Sequence, residues 1–201
     1  MMTHAALGFR AHSGWAALVA VIGPLRSPVV VDRRRVELVD PRDRHARQPY
    51  HAAAELELKQ ADKLLRECAR KSKLLARQCV RAAITELRKK GYDVCGCGVL
   101  DGSGRMLPNL EKILNSHPLL HTAEGMLFRD VLAHASEHCK IPVTRIRERE
   151  LFVQGTARLR ISADELRRRI AEMGKPMGPP WSQDEKFAAL VAWLALASES
   201  C

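Results

Sequence analysis

Residues 52–90 constrain the fold more than any other stretch of this chain, because they are patterned as one long helix. Gly91 closes the stretch, and Lys89 and Lys90 occupy its last turn, where cations interact favourably with the helix dipole. Small and apolar residues recur in it at alternating spacings of three and four: Leu58, Ala61, Leu65, Cys68, Ser72, Leu75, Cys79 and Ala82. This period predicts an amphipathic helix with one buried face.

A second series on the same predicted helix is cationic and lies at least a quarter turn from the apolar series. Its members are Lys59, Lys63, Arg66, Arg70, Lys73, Arg77, Arg81 and Arg88. At a rise of 1.5 Å per residue the stripe is on the order of 40 Å long. Like charges three or four residues apart repel, so helix stability alone does not favour this face. It is either a solvated face, relieved by Glu55, Asp62 and Glu67, or a surface that contacts backbone phosphates.

The net charge of the 201-residue chain is +10, and its excess of cations lies in the first half. Residues 1–50 carry 8 basic and 4 acidic side chains, and residues 51–100 carry 11 and 6, whereas the remainder is near balance. This asymmetry predicts a localised basic surface. The six cysteines have no disulfide-framework or zinc-ribbon spacing, and the N-terminus lacks the features of a signal peptide. We therefore expect a cytoplasmic protein with no membrane segment.

Three apolar runs separated by glycine and proline precede the long helix. They are Leu7–Arg10, Trp15–Ile22 and Val29–Val39, the last with an irregularity near Arg33, Arg34 and Arg35. Their β-branched residues favour strands, and their short connections predict an antiparallel meander over residues 3–40.

The elements after residue 91 alternate between strand and helix patterns. Tyr92–Leu100 and Ile141–Ile146 are predicted strands, with a helix from Pro118 to about Cys139 between them, so residues 92–147 form a strand–helix–strand unit. Capping-box patterns at Ser162 and Ser182 predict two further helices within residues 162–197. The whole chain, residues 1–201, is expected to be one α/β domain.

This order of elements, with right-handed crossovers, predicts a mixed five-stranded sheet in which the first strand runs parallel to the last two. Residues 8–15 (GFRAHSGW) and 181–193 (WSQDEKFAALVAW) resemble the first strand and the last helix of the ribonuclease H-like superfamily, Holliday-junction resolvase type. The resemblance implies a sheet of order 3-2-1-4-5 with flanking helices. It also implies cleavage of phosphodiesters by two divalent cations that carboxylates hold.

The residues at the implied metal positions depart from that pattern. Arg10 stands where the first strand of the family carries a carboxylate, and a guanidinium repels Mg²⁺. Asp101 and Asp184 stand near two other acidic positions, so they are the candidate metal ligands. The carboxylate set is incomplete, so a divalent metal cofactor is compatible with the sequence but not identified by it. We therefore do not expect a standard two-metal nuclease.

A second kind of site is indicated by His117, His121 and Glu124, which share one helical face. The carboxyl ends of parallel strands form the usual crevice of an α/β sheet, and the helix is predicted to begin there. With His12 opposite, these side chains would bind a transition metal or transfer protons. The candidate catalytic residues are His121, Glu124, His12 and Asp101. The plain alternatives are a helix cap at His117, a dipole partner in Glu124, and, for His134 and His138, either a solvated surface or a partner of the C-terminal helix dipole.

Three functions are compatible with these patterns. The first is binding of DNA or RNA through Arg10, Lys59, Lys63, Arg66, Arg70, Lys73, Arg77 and Arg81. The second is a hydrolase or other phosphate-handling enzyme with a rebuilt His/Glu site. The third is a protein-interaction module. The basic stripe favours nucleic-acid binding.

Overall fold

The structure, a computed structural model, describes residues 3–104 and 106–198, apart from the side chain of Arg44. Its five strands are β1 Thr3–His12, β2 Trp15–Ile22, β3 Val29–Glu37, β4 Tyr92–Asp101 and β5 Val143–Arg147. They form one sheet in the order β3-β2-β1-β4-β5. The β1–β2 and β2–β3 pairs are antiparallel, and β4 is parallel to both β1 and β5. The predicted α/β fold with sheet order 3-2-1-4-5 is confirmed.

Eight α-helices flank this sheet within the described residues. They are α1 Arg44–Arg47, α2 Pro49–Ala54, α3 Leu58–Lys89, α4 Leu110–Leu114, α5 His117–His138, α6 Leu151–Leu159, α7 Ala163–Met173 and α8 Gln183–Leu196. Leu7 and Phe9 of β1 share one core cluster with α3 and α5. Ala6 shares a second cluster with α6, α7 and α8 on the other face. Both faces of the sheet are therefore covered, which explains why residues 5–9 of β1 and 16–21 of β2 are buried, small or apolar residues without alternation.

Helix α8 lies against the sheet at backbone contact distance because two strand residues are glycines. A Cβ atom added to Gly8 would lie 2.0 Å from the carbonyl oxygen of Ala188, and one added to Gly98 would lie 2.3 Å from that of Val191. No side chain fits at either place. A capping box between Ser182 and Glu185 fixes the first turn of the helix. The acidic start of α8 is therefore held at the carboxyl ends of β1 and β4.

The helix predicted over residues 52–90 is two helices in the structure. A turn at residues 55–57 separates α2 from α3, and no glycine or proline marks that turn. Ala53 of α2 packs with Ala61 and Leu65 of α3, and Leu110 and Leu114 of α4 pack against them. This apolar cluster folds α2 back onto its neighbours, which is why a continuous helix is not formed.

The buried face of α3 follows the predicted series from Ala61 to Ser72 and then departs from it, and Leu58 at the start of the series is exposed. The buried residues after Ser72 are Ala76, Val80, Ala83 and Leu87. The predicted series continued through Leu75, Cys79 and Ala82 instead. Alternating spacings of three and four have a period of 3.5 residues, whereas a straight α-helix turns every 3.6, so the two series drift apart along a long helix.

The structure differs from the sequence analysis in two other places. Helix α6 was not predicted at all; its Gly155 packs against Leu166 of α7, a tertiary contact that sequence periodicity does not reveal. The irregularity in β3 lies opposite Ala20 and Val21, where the β2–β3 register shifts, and not at residues 33–35. No helix within residues 3–104 and 106–198 is long and apolar enough to cross a membrane.

The close contact between α8 and the sheet makes a prediction about stability. The substitution Gly98→Ala should lower the free energy of unfolding by about 1–3 kcal/mol, because the new methyl group forces α8 away from β4. Denaturant unfolding measures this change. Gln78→Ala, on the exposed side of α3, is the control and should change the same quantity by less than about 0.5 kcal/mol. Equal effects of the two substitutions would contradict the packing account.

Candidate functional site

The carboxyl ends of β1 and β4 and the first turn of α8 meet at one edge of the sheet, which we call the mouth. In an open α/β sheet this is the edge at which ligands bind. A cleft of about 560 Å³ opens there, lined by Asp101, Arg129, Glu148 and Phe187 among others. The mouth is therefore the expected position of a functional site.

Arg10 lies at the centre of an ion-pair network in the mouth. Its Nη1 atom is 2.6 Å from Asp184 Oδ1, and its Nη2 atom is 2.9 Å from Glu148 Oε1. Its Nε atom also donates to Glu148 Oε2 at 3.3 Å, and the guanidinium lies over the ring of Phe187. Two carboxylates hold this cation and 17% of its side chain is exposed, so an external phosphate would have to displace Asp184 or Glu148 to pair with it. The contact of Arg10 with nucleic acid therefore stays a prediction.

His12 belongs to the same network. Its Nε2 atom lies 2.9 Å from Asp184 Oδ1, the oxygen that also accepts from Arg10. Its ring stacks on Trp15 with the centroids 4.3 Å apart. His12 is therefore oriented by a carboxylate on one side and an indole on the other.

Asp101 at the end of β4 forms a second network. Arg145 donates to both of its carboxylate oxygens, at 3.1 and 3.2 Å, and reaches Asp130 at 2.8 Å. Burial raises the pKa of Asp101, but the hydrogen bonds and charge of Arg145 outweigh that effect, so the pKa lies below its ordinary value. Asp101 is thus an ionised carboxylate that is already paired.

Arg129 of α5 is a functional candidate in the mouth that sequence reasoning missed. Its guanidinium lies against two glycines: a Cβ added to Gly102 would be 2.8 Å from Nη1, and one added to Gly125 would be 2.7 Å away. Burial lowers the pKa of Arg129, and Asp101 and Glu148 oppose that shift. Within the described residues the guanidinium has neither a hydrogen bond nor an ion-pair partner within 4.0 Å. The sequence feature that could have indicated the position of Arg129 is Gly125, which lies four residues earlier on α5 and leaves room for the guanidinium.

The predicted histidine and glutamate candidates of α5 form a different cluster. His117 and His121 have ring centroids 4.6 Å apart, and His51 of α2 lies 5.4 and 4.7 Å from them. Glu124 is 1% exposed, and its Oε1 atom lies 2.8 Å from His51 Nδ1. The shared helical face was predicted from sequence, but His51 was missed because only the break between α2 and α3 brings it there.

The structure does not place all four predicted catalytic residues in one site. The residues of α5 that line a cavity with Asp101 are Thr122, Met126 and Arg129. His121 and Glu124 lie on another face of that helix, toward α2. Within the described residues, no hydrogen bond, ion pair or ring contact joins His12 or Asp101 to His121 or Glu124. The expectation of a single site is corrected to two separate clusters.

The cations of α3 remain accessible. We define the α3 basic surface by the exposed side chains Lys59, Lys63, Arg66, Arg70, Lys73, Arg81 and Arg88. Arg66 pairs with Asp62 and Arg70 pairs with Glu67, both at 2.8 Å. Within the described part of the chain, Lys59, Lys63 and Lys73 have no carboxylate within 4.0 Å.

The far end of this helix contacts the second pair of α5 histidines. Arg77 Nη2 lies 3.0 Å from His134 Nε2, and Arg81 Nη2 lies 3.2 Å from His138 Nε2. The charge of Arg77, followed by desolvation and Arg81, lowers the pKa of His138. His134 is half-buried and His138 is exposed in the last turn of α5, and each is a neighbour of an α3 arginine.

Comparison with known proteins places the chain by its fold. No family model and no curated protein matches the sequence. The structure is similar to Thermus thermophilus RuvC in complex with a Holliday junction substrate, with a TM-score of 0.54, 10% identity and coverage of 96% of this chain and 91% of that one. A second Thermus thermophilus RuvC structure has a TM-score of 0.51, 10% identity and coverage of 94% and 91%. The chain has the ribonuclease H-like fold that the resemblance implied.

The divalent cations that this fold family implies do not fit the donors in the mouth. Asp184 and Glu148 both accept from Arg10, and Asp101 accepts from Arg145. A cation ligated by these carboxylates would displace the guanidiniums and would still face the charge of Arg10 at close range. The predicted metal ligands Asp101 and Asp184 are therefore occupied by ion pairs, and no catalytic step is assigned to a metal here.

The Arg10 network makes a prediction about metal binding. The substitution Arg10→Ala removes the guanidinium and leaves Glu148 and Asp184 without their shared partner. The free energy of unfolding should therefore fall by about 1–2 kcal/mol. The freed carboxylates should also acquire affinity for Mn²⁺, seen as a rise in melting temperature on adding millimolar Mn²⁺ to the variant but not to the wild type. Arg42→Ala, which breaks only an exposed pair with Asp40, is the control. A wild-type protein that Mn²⁺ stabilises as much as the variant would contradict this account of the mouth.

Proposed function

We propose that this protein binds the phosphate backbone of nucleic acid through the α3 basic surface and does not cleave it by the two-cation mechanism. The observation that carries the proposal is the set of exposed cations along α3, of which Lys59, Lys63 and Lys73 have no carboxylate partner within the described residues. Repulsion between neighbouring cations costs helix stability, and phosphates relieve it.

The position of α3 relative to the sheet supports the proposal. Helix α3 ends at Lys89 and β4 begins at Tyr92 on the other side of a tight turn, so the helix runs back along the sheet. Its first turns therefore lie toward the carboxyl ends of the parallel strands, beside α4. Thirty-two residues span about 48 Å at 1.5 Å per residue. This length suits several successive phosphates of a duplex.

Arg129 adds one contact of a different kind. It is a partly buried cation at the mouth without a carboxylate partner within the described residues, and its fixed position against Gly102 and Gly125 would orient a phosphate. Similarity to a RuvC structure in complex with a Holliday junction substrate supports a duplex or branched ligand. The surface carries charge but no aromatic residue, so stacking on single-stranded bases is not part of the proposal.

Charge reversal on α3 tests the proposal. The double variant Lys63→Glu/Lys73→Glu should bind a fluorescent DNA or RNA duplex at least tenfold more weakly, because two phosphate contacts become repulsive. The plot of log affinity against log salt should also become less steep by about 2 units. Fluorescence anisotropy over a series of salt concentrations measures both quantities.

The matched control makes the same change in net charge on the opposite layer. Arg158 in α6 and Lys175 just after α7 are exposed and have no ion-pair partner within the described residues. Arg158→Glu/Lys175→Glu should therefore retain most of the affinity. Equal losses in the two double variants would show that only net charge matters. That result, or a wild type that binds no duplex, would overturn the proposal.

Arg129 has a prediction of its own. Arg129→Gln should weaken duplex binding several-fold and reduce the salt slope by about 1, since one phosphate contact is lost. The same titrations measure it, with circular dichroism to confirm folding. Arg168→Gln is the control, because Glu165 and Glu172 already pair with that side chain. An affinity of Arg129→Gln within error of the control would remove the mouth from the interface and leave the α3 basic surface alone.

The alternative of a phosphate-handling enzyme was based on four residues acting together. His12 and Asp101 are held in the ion-pair networks of the mouth, whereas His121 and Glu124 lie in the other cluster. That alternative therefore loses the shared site it required.

A further inference from the structure

Three imidazoles converge where α2 packs against the first turns of α5. One ligand nitrogen from each of His51, His117 and His121 can be chosen so that all three lie within 4.8 Å of one another. Around a tetrahedral zinc ion, ligand nitrogens are about 3.3 Å apart, given bonds of about 2.0 Å. Small side-chain rotations would close that difference, since His117 and His121 are exposed and His51 is half-buried.

The spacing of the two α5 histidines suits chelation. His117 and His121 are four residues apart, so both rings leave the helix from one face. This is the spacing at which paired histidines on a helix bind one metal ion. His51 supplies the third nitrogen from α2, so an ion here would join two helices that are far apart in sequence.

Glu124 provides independent support for a metal site at these three histidines. Its carboxylate is 1% exposed, its Oε1 atom lies 2.8 Å from His51 Nδ1 and 3.3 Å from the His51 backbone nitrogen, and its buried Oε2 atom has no hydrogen-bond partner within the described residues. The Glu124 carboxylate accepts a hydrogen bond from the Nδ1–H group of His51, which leaves the Nε2 lone pair of His51 free to bind a metal. Metal-ligating histidines characteristically have their other ring nitrogen bonded to a carboxylate in this way.

We propose that His51, His117 and His121 bind one transition-metal ion of the zinc class, and that Glu124 is the positioning residue for His51. Imidazole nitrogens favour Zn²⁺, Cu²⁺, Ni²⁺ and Co²⁺ over Mg²⁺ and Ca²⁺, which prefer oxygen ligands. Three protein ligands leave a fourth position for water or another exchangeable ligand. The ion also ties α2 to α5 and so fixes the break that precedes the α3 basic surface. This site is independent of the proposed nucleic-acid binding.

The experiment is a metal titration of the full chain, freed of affinity tags and of bound metal by a chelator. Calorimetry with Zn²⁺ should give one ion per chain, and Co²⁺ should give the strong visible absorption of tetrahedral coordination. His121→Ala, which alters an exposed side chain, should lower Zn²⁺ affinity at least tenfold and abolish the Co²⁺ spectrum. His134→Ala on the same helix is the matched control and should change neither quantity.

Glu124→Gln separates positioning from ligation. It should weaken Zn²⁺ binding by about 10–100-fold while retaining one ion per chain, because the three nitrogens remain but His51 is no longer held in one tautomer. His117→Gln should behave as His121→Ala does. Retention of wild-type Zn²⁺ affinity in His121→Ala and His117→Gln would place the ion elsewhere and overturn the proposal. Failure of the wild type to bind Zn²⁺ or Co²⁺ would also overturn it, whether or not the protein binds duplexes.

Discussion

The close contact of α8 with the sheet is the constraint on which the mouth depends. Gly8 and Gly98 leave no room for a side chain, so the helix backbone lies directly on β1 and β4. The capping box at Ser182 then fixes where the helix begins. As a result Asp184 is brought to Arg10, a residue 174 positions earlier in the chain. The electrostatics of the mouth follow from this packing.

Once that contact is made, the cation of Arg10 determines the chemistry of the mouth. It pairs with Glu148 and Asp184, while Arg145 pairs with Asp101. An edge that would otherwise concentrate negative charge is neutralised, so it suits an anion at Arg129 better than a metal ion. The proposed binding of phosphates along α3 and at Arg129 is consistent with that neutralisation. The proposed zinc-class site lies apart from the mouth, where His51 of α2 meets His117 and His121 of α5.

The sequence predicted the order of elements well because local chemistry marks them. Trp15–Ile22 was predicted with the bounds that the structure gives to β2, since glycine and proline flank a run of small and β-branched residues. The first turn of α8 was predicted from the capping box at Ser182. Helix α6 and the break between α2 and α3 were not predicted, because packing around Gly155 and Ala53 produces them and no local residue marks them. The site residues divide in the same way into those that local sequence indicates and those that it does not. Helical spacing grouped His117, His121 and Glu124, whereas His51 and Arg129 could be recognised only from their tertiary contacts.

The central claim is that the α3 basic surface contacts the phosphates of a nucleic-acid duplex, and lysine footprinting tests it most directly. The protein is treated with an amine-reactive reagent with and without a saturating duplex, and the modification of each lysine is measured by mass spectrometry. The account predicts that the duplex protects Lys59, Lys63 and Lys73, while Lys175 on the opposite layer reacts equally in both samples. Unchanged reactivity of the three α3 lysines, or equal protection of Lys175, would contradict it.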